Sequence, residues 1–245
     1  MSRRVAIVSG GGTGIGRAVC LRLAREGFAV AVACSRSVAD AESTLQALRA
    51  SGGEGEMFQA DIADESSVQS LFAAVKARFG RIDVVVNNAG IGHSKKLAQI
   101  EMAEFDHIFG VNARGTFMMC REAAQFIEDG GRIVNVSTGA TKGNPARMAL
   151  YVGSKLAVEG FTKVLARELA LRGITVNAVS PGMTDTPMLL GGDAEALRAY
   201  GAQAAAMRRV GQPEDVADAI AALVSADGRW ITGQNIAVDG GTNIV

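Results

Sequence analysis

The sequence predicts an α/β protein, a doubly wound seven-stranded parallel sheet with helices on both faces. Three observations carry this. Short runs rich in β-branched residues alternate with longer segments of helical period almost to the C-terminus. Most of the short runs are apolar at every position, as strands covered on both faces are. The first run ends in a glycine-dense turn with a helical pattern starting inside it.

Taken in order, Val5–Val8 reads as strand one, and Ile15, Val19 and Leu23 begin the first helix. Ala29–Ala33 is strand two, Ala39–Ala50 a helix and Glu56–Ala60 strand three. The next helix, Asp64–Phe79, is marked by Val68, Leu71, Phe72, Val75 and Phe79, a stripe that only a helix presents to one surface. Ile82–Val86 is strand four, Glu104–Glu128 one long helix and Arg132–Val136 strand five. Tyr151–Arg172 is a second long helix, followed by strand six at Thr175–Val179. Met183–Arg209 breaks the alternation with Gly191-Gly192 and a loose, alanine-rich helical pattern, and we read it as an insertion covering a pocket. Pro213–Ser225 opens with proline at a helix start and acids behind it, and Asn235–Val238 is strand seven.

The chain has 245 residues, 48% apolar and 20% charged, which suits one α/β domain spanning residues 1–245. Its 25 Lys and Arg cancel its 25 Asp and Glu, so it lacks the basic surplus that nucleic acid or an anionic membrane requires. The longest apolar run, Phe28–Cys34, is far short of the ~20 residues that span a bilayer. Met1-Ser2-Arg3-Arg4 leads straight into a strand rather than a signal-peptide core, so a cytoplasmic location is expected. Cys20, Cys34 and Cys120 are scattered as buried thiols would be, not as a disulfide framework. His93 is read as a solvated loop histidine and His107 as a helix residue; neither has metal-ligand spacing, and no metal is expected. Trp230 and Tyr200 read as packing or interface residues.

Strand one runs into Ser9-Gly10-Gly11-Gly12-Thr13-Gly14-Ile15-Gly16, so strand, tight turn and helix N-terminus are contiguous. Exposed amides and the positive end of a helix dipole make such a place a site for a pyrophosphate. The common G-x-G-x-x-G fingerprint fails because Ile15 stands where its third glycine belongs; the spacing present is Gly10-x-x-x-Gly14-x-Gly16.

That spacing resembles the cofactor loop of the short-chain dehydrogenase/reductases, a Rossmann-like family, and the resemblance extends along the whole chain. Asn87-Asn88-Ala89-Gly90 is similar to the family's N-N-A-G, Tyr151-Val152-Gly153-Ser154-Lys155 to its Y-x-x-x-K, and Pro181-Gly182 to its P-G. Asp61, with Ile62 beside it, stands where the family has an adenine-contacting Asp. The resemblance implies a cofactor site of Gly10, Thr13, Gly14, Ile15, Gly16, Asp61, Ile62, Asn88, Ala89, Gly90, Tyr151, Lys155, Pro181, Gly182 and Thr184. It also implies that Thr186 helps to hold the nicotinamide carboxamide.

Cofactor choice turns on the end of strand two, where a carboxylate would bind the ribose of NAD(H) and repel a 2′-phosphate. The residues there are Ala33-Cys34-Ser35-Arg36-Ser37. A guanidinium flanked by hydroxyls suits a phosphate, so Ser35 and Arg36 favour NADP(H) over NAD(H).

Tyr151 and Lys155 lie four apart at a helix start, so both project from one face. A nearby cation favours the phenolate and lowers the phenol's pKa, making the tyrosine a usable acid/base. It would give a proton to a carbonyl oxygen as hydride reaches the carbon. The resemblance implies a serine thirteen residues earlier that hydrogen-bonds the substrate oxygen. Thr138 occupies that place, with Ser137 as the alternative if the loop is shifted by one. Asn112 matches an asparagine that in relatives helps to place a water beside the lysine.

The expected function is therefore a carbonyl reductase, or the matching alcohol dehydrogenase, acting on a free small substrate with some apolar surface. Met183, Met188, Leu189 and Leu190 are its lid residues, with Gly191-Gly192 as hinge and the lid spanning 183–209. A second reading is a 3-oxoacyl carrier-protein reductase; the acids Glu122, Glu128 and Asp129 near the helix end before strand five argue against an acidic partner, relieved only by Arg121 and Arg132. A third is a nucleotide-binding regulator without turnover, whose mark would be loss of Tyr151 or Lys155; both are present. The resemblance further implies a homotetramer built on the two long helices and C-terminal contacts.

Overall fold

The computed structural model describes residues 3–189 and 193–244. Its seven strands are β1 (Val5–Ser9), β2 (Ala29–Cys34), β3 (Glu54–Gln59), β4 (Val84–Asn87), β5 (Arg132–Val136), β6 (Thr175–Pro181) and β7 (Asn235–Val238). They form one sheet in the order β3-β2-β1-β4-β5-β6-β7, and every pairing is parallel. The helices are α1 (Gly14–Arg25), α2 (Val38–Ala50), α3 (Glu65–Phe79), α4 (Met102–Phe109), α5 (Thr116–Phe126), α6 (Ala140–Gly143), α7 (Ala149–Glu168), α8 (Ala194–Ala204) and α9 (Pro213–Val224). The strand order reverses between β1 and β4. Connections there leave in opposite directions, which opens a crevice at the C-terminal ends of the strands.

Successive strand residues alternate between two cores, which is why the strands read as continuous apolar runs. Ala6, Val8, Val30, Val32, Val86 and Val134 pack against α1, α2 and α9 through Val19, Leu23, Leu48 and Ile220. Val5, Ile7, Ala31, Val85, Ile133 and Val176 pack on the other face against Phe72, Met119 and Ala166 of α3, α5 and α7. Asp64 caps α3 by accepting from the Ser67 amide at 2.7 Å, and Gly80 closes that helix at φ 79°. Cys20, Cys34 and Cys120 are all buried and free. Burial pushes the Cys20 thiol up, and that of Cys120 up to about 12, so neither is a ready nucleophile. No helix among the described residues is long and apolar enough to cross a membrane.

The structure departs from the sequence reading in one element that matters. Glu104–Glu128 is not a single helix: a π-helical turn, Gly110–Gly115, separates α4 from α5. A wider turn admits an extra residue per repeat and is frequent at functional sites. Gly115 permits it, since a methyl group there would lie 2.9 Å from the Ile62 carbonyl oxygen. The other long helix starts earlier, at Ala149, and ends at Glu168; a 3₁₀ turn at Ala170–Arg172 carries the helical pattern on to Gly173. Strand boundaries shift by one to two residues, as in β3 and β4. Within 183–209, the Met183 carbonyl accepts from the Gly211 amide at 2.9 Å, and the Met183 side chain lies against Gly201 of α8. Leu190 and the hinge glycines Gly191-Gly192 lie outside the described residues.

Candidate active site

The crevice begins at the glycine loop. Gly10 and Gly14 hold φ of 64° and 49°, and a methyl group on Gly16 would overlap the Gly10 carbonyl oxygen. Thr13 enters α1 in extended conformation, Ile15 and Gly16 complete its first turn, and that turn carries no acid and no side-chain cap. Its free amides are left for an anion. The loop is braced from β4: Asn88 Nδ2 donates to the Ser9 and Gly10 carbonyls at 3.0 and 3.2 Å, and Ser9 Oγ accepts from the Asn88 and Ala89 amides at 3.0 and 3.1 Å. Thr44, from α2, donates to the Gly12 carbonyl at 3.0 Å.

On the β2 side, the Ser35 carbonyl accepts from Gln59 Nε2 at 3.0 Å. Arg36 is exposed, and its guanidinium has no hydrogen-bond or ion-pair partner among the described residues. The Asp61 carboxylate accepts from the Ala63 amide at 3.0 Å, and Ile62 is buried beneath the π turn at Gly115.

Tyr151, Lys155, Thr138 and Asn112 come together across β5, α7 and the π turn. The Thr138 hydroxyl is hydrogen-bonded to the Tyr151 phenol. The alternative hydroxyl, Ser137, donates to Glu159 Oε1 at 2.7 Å. Lys155 is buried and donates from Nζ to the Val136 carbonyl at 2.8 Å. Asn112 is fully buried; its Oδ1 accepts from the Ile91 amide at 2.8 Å, and its Nδ2 donates to Ile91 O and Ser154 Oγ at 2.9 and 3.1 Å. Gly90 keeps the space between lysine and asparagine open: a methyl group on it would lie 3.1 Å from Lys155 Nζ and 3.2 Å from Asn112 Oδ1.

The electrostatics differ from the sequence expectation at the tyrosine. Burial pushes the Tyr151 phenol above its ordinary value, and the bond to Thr138 only partly offsets this; Lys155 is not among the groups that shift it. Burial pulls the Lys155 ammonium, held on the strand-end carbonyl, down to about 8, so its charge is already lost where the phenol titrates and acts on Tyr151 only below that pH. A phenol kept protonated is the right resting form for donating to a carbonyl.

The far wall is the segment after β6. Gly139 N donates to the Pro181 carbonyl at 2.7 Å, Gly182 N to Val238 O at 3.0 Å, and Thr184 Oγ1 to Gly182 O at 3.0 Å. Thr186 leans over the glycine loop, within 3.1 Å of where a methyl on Gly14 would stand, and Met188 likewise approaches Gly92. His93 is not solvated: its side chain is 11% exposed and Nε2 pairs with Glu104 Oε1 at 3.2 Å. Glu104 itself is held down to about 2, first by accepting from the Glu101 amide and then by Lys95. Trp230 (95%) and Tyr200 (66%) do not pack within the chain. Among the described residues no group of His, Cys, Asp and Glu is placed to hold a metal. Ser9, Ser154 and Glu159 were missed by sequence reasoning; only Ser9, a hydroxyl directly before the first loop glycine, carried a signal.

A family model described as enoyl-(acyl carrier protein) reductase matches residues 10–243. The chain also superposes, with a TM-score of 0.92 and 38% identity, on a short chain dehydrogenase from Burkholderia cenocepacia J2315 in complex with NADP, covering 99% of this chain and 98% of that one. The chain belongs to the short-chain dehydrogenase/reductase family. Among other members of that family, it is 36% identical to a trihydroxynaphthalene reductase of Colletotrichum orbiculare over 97% of this chain and 88% of the relative. The angucycline C-6 ketoreductase LanV, solved with bound NADP, matches with a TM-score of 0.92 and 34% identity over 98% of this chain and 95% of that one.

Proposed function

We propose that this short-chain dehydrogenase/reductase is an NADP(H)-dependent ketoreductase that acts on a free, small, partly apolar ketone or, in reverse, on the secondary alcohol. The observation that carries this is the convergence of Thr138, Tyr151 and Lys155 beside the glycine loop. Thr138 and Tyr151 place two hydroxyls where one carbonyl oxygen would lie, and Tyr151, kept protonated by burial, gives its proton to that oxygen. Lys155, anchored on Val136, holds positive charge behind the phenol, with Asn112 and the π turn fixing the lysine's surroundings.

The residues fit the dinucleotide. Gly10, Gly14 and Gly16 leave a cradle that a side chain would fill, and the uncapped first turn of α1 suits a pyrophosphate. Arg36, with Ser35 beside it, is free to grip a 2′-phosphate, and Asp61 and Ile62 flank the adenine end. When bound, the nicotinamide supplies or accepts the hydride. The NADP-bound family members support this choice.

The carrier-protein reading is kept as the second one because of the description of the matching family model. Against it stands the charge around the end of α5. Arg121 pairs with Glu65 and Glu122, Lys76 with Glu128, and Arg172 with Asp129, while Arg132 is buried and donates to the Gly130 and Gly131 carbonyls, so these cations are already engaged. We further propose a homotetramer, since α5 and α7 expose Phe117, Leu156 and Val164 beside a groove of about 690 Å³ that Phe109, Phe117 and Phe161 line.

The test is consumption of NADPH and of NADH, in parallel, with free ketones, 3-oxo esters and an acyl-carrier thioester. NADPH-linked turnover of free ketones is expected; activity confined to the thioester would replace this reading by the second.

A further inference from the structure

Three consecutive residues at the end of β5 are each tied to α7. The Val136 carbonyl accepts from Lys155, the Ser137 hydroxyl donates to Glu159 at 2.7 Å, and the Thr138 hydroxyl bonds to Tyr151. On the helix the partners are Tyr151, Lys155 and Glu159, four residues apart each time, so they form one stripe along the face turned to the strand end. Ser137 and Thr138 are adjacent hydroxyls, and either could in principle meet the phenol. Ser137 is buried and committed to a carboxylate, a stronger bond than one between neutral groups.

We propose that Glu159 is a positioning residue for the reduction. By holding Ser137 it fixes the register between the end of β5 and α7, and so decides that Thr138 is the hydroxyl facing Tyr151. The catalytic stripe then runs one turn beyond Lys155. Glu159 touches neither substrate nor cofactor in this arrangement; it acts through Ser137. The proposal rests on the ketoreductase reading for its effect on rate, while its effect on the Thr138–Tyr151 bond stands apart from turnover.

Two measurements on the full chain test it. In the first, Glu159→Leu and Ser137→Ala each lower kcat for a free ketone roughly tenfold, the worth of one well-placed hydrogen bond, and leave the NADPH dissociation constant unchanged. The double variant is no slower than either single one, and Glu159→Gln, which keeps an acceptor, restores most of the rate. The second needs no turnover. The chain has two tyrosines, so in a Tyr200→Phe background ring-carbon-labelled tyrosine gives a single NMR signal, from Tyr151. Thr138→Val moves that signal, and Glu159→Leu is expected to move it in the same direction while Glu159→Gln does not. Additive rate losses, or a Tyr151 signal unmoved by Glu159→Leu, would overturn the proposal. A wild-type chain that reduces no ketone but shows the expected NMR shifts would refute the ketoreductase reading and leave the role of Glu159 standing.

Discussion

Lys155 carries its charge where water does not reach, and this gives the site a pH signature. Burial disfavours the ammonium, so its folded value falls from the ordinary 10.5 to about 8. Raising the pH through about 8 therefore removes the charge behind Tyr151, and kcat for reduction is expected to be level below that point and to fall above it. A profile level up to the ordinary lysine range would contradict the assignment. The sign for stability is opposite: the unfolded chain keeps that proton up to the ordinary value, so between about 8 and 10.5 this group's contribution to stability rises with pH, and its full burial cost is present below about 8. At the other end of the crevice, Arg36→Ala is expected to weaken NADPH at least about tenfold, the worth of a charge-assisted bond, and NADH little. Equal losses, read from cofactor fluorescence titrations, would remove Arg36 from the phosphate. That Tyr151 and Lys155 share one helix and that the glycines join a strand to a helix start was legible from spacing, while their roles were read from the family resemblance. Thr138 was preferred to Ser137 by its count of thirteen residues from Tyr151, but the bond that occupies Ser137 was not legible, since its acceptor Glu159 lies 22 residues away. His93 was misjudged for the same reason: its partner Glu104 comes from α4.

The element that decides the shape of the site is the π turn between α4 and α5. It presents Asn112 to Ile91 and Ser154 while packing Gly115 on Ile62, and so joins the lysine's surroundings to the β3–α3 loop. Gly115→Ala would press a methyl group on the Ile62 carbonyl, and is expected to cost ~1–3 kcal/mol in denaturant unfolding. Unfolding unchanged from wild type would show that the turn yields freely. The helical period across this stretch was correctly read as helix, but the break falls in Gly110–Gly115, where small and polar residues leave too few apolar positions to show a change of period. Strands β1, β2, β4, β5 and β6 were legible because they are buried on both faces, and the part-exposed edge strands β3 and β7 because turns bound them. β5 and β7 kept the bounds read from the sequence, while the others differ at one or both ends by a residue or two, because the hydrogen bonding that ends a strand is not encoded in hydropathy.

On the scale of the whole molecule, the reversal of strand order beside β1 gathers the glycine loop, the bracing residues after β4, the Thr138 turn and the β6 wall at one edge of the sheet. That gathering follows from alternation of strands and helices, which the sequence displays. The outer faces of α5 and α7 were not legible, because which apolar residues stay exposed depends on how each helix is rotated on the sheet. With Phe117 and Val164 about half exposed, Phe117→Glu combined with Val164→Glu is expected to convert a four-chain species to smaller ones in sedimentation; a wild-type monomer would contradict the assembly. The central claim is proton donation by Tyr151 to a ketone. Its most direct test compares wild type with Tyr151→Phe at saturating NADPH, measuring turnover of a free ketone and the NADPH dissociation constant of each. The account predicts that the variant binds NADPH nearly as wild type does and loses roughly 10²–10⁴-fold in kcat; turnover near the wild-type rate would contradict it.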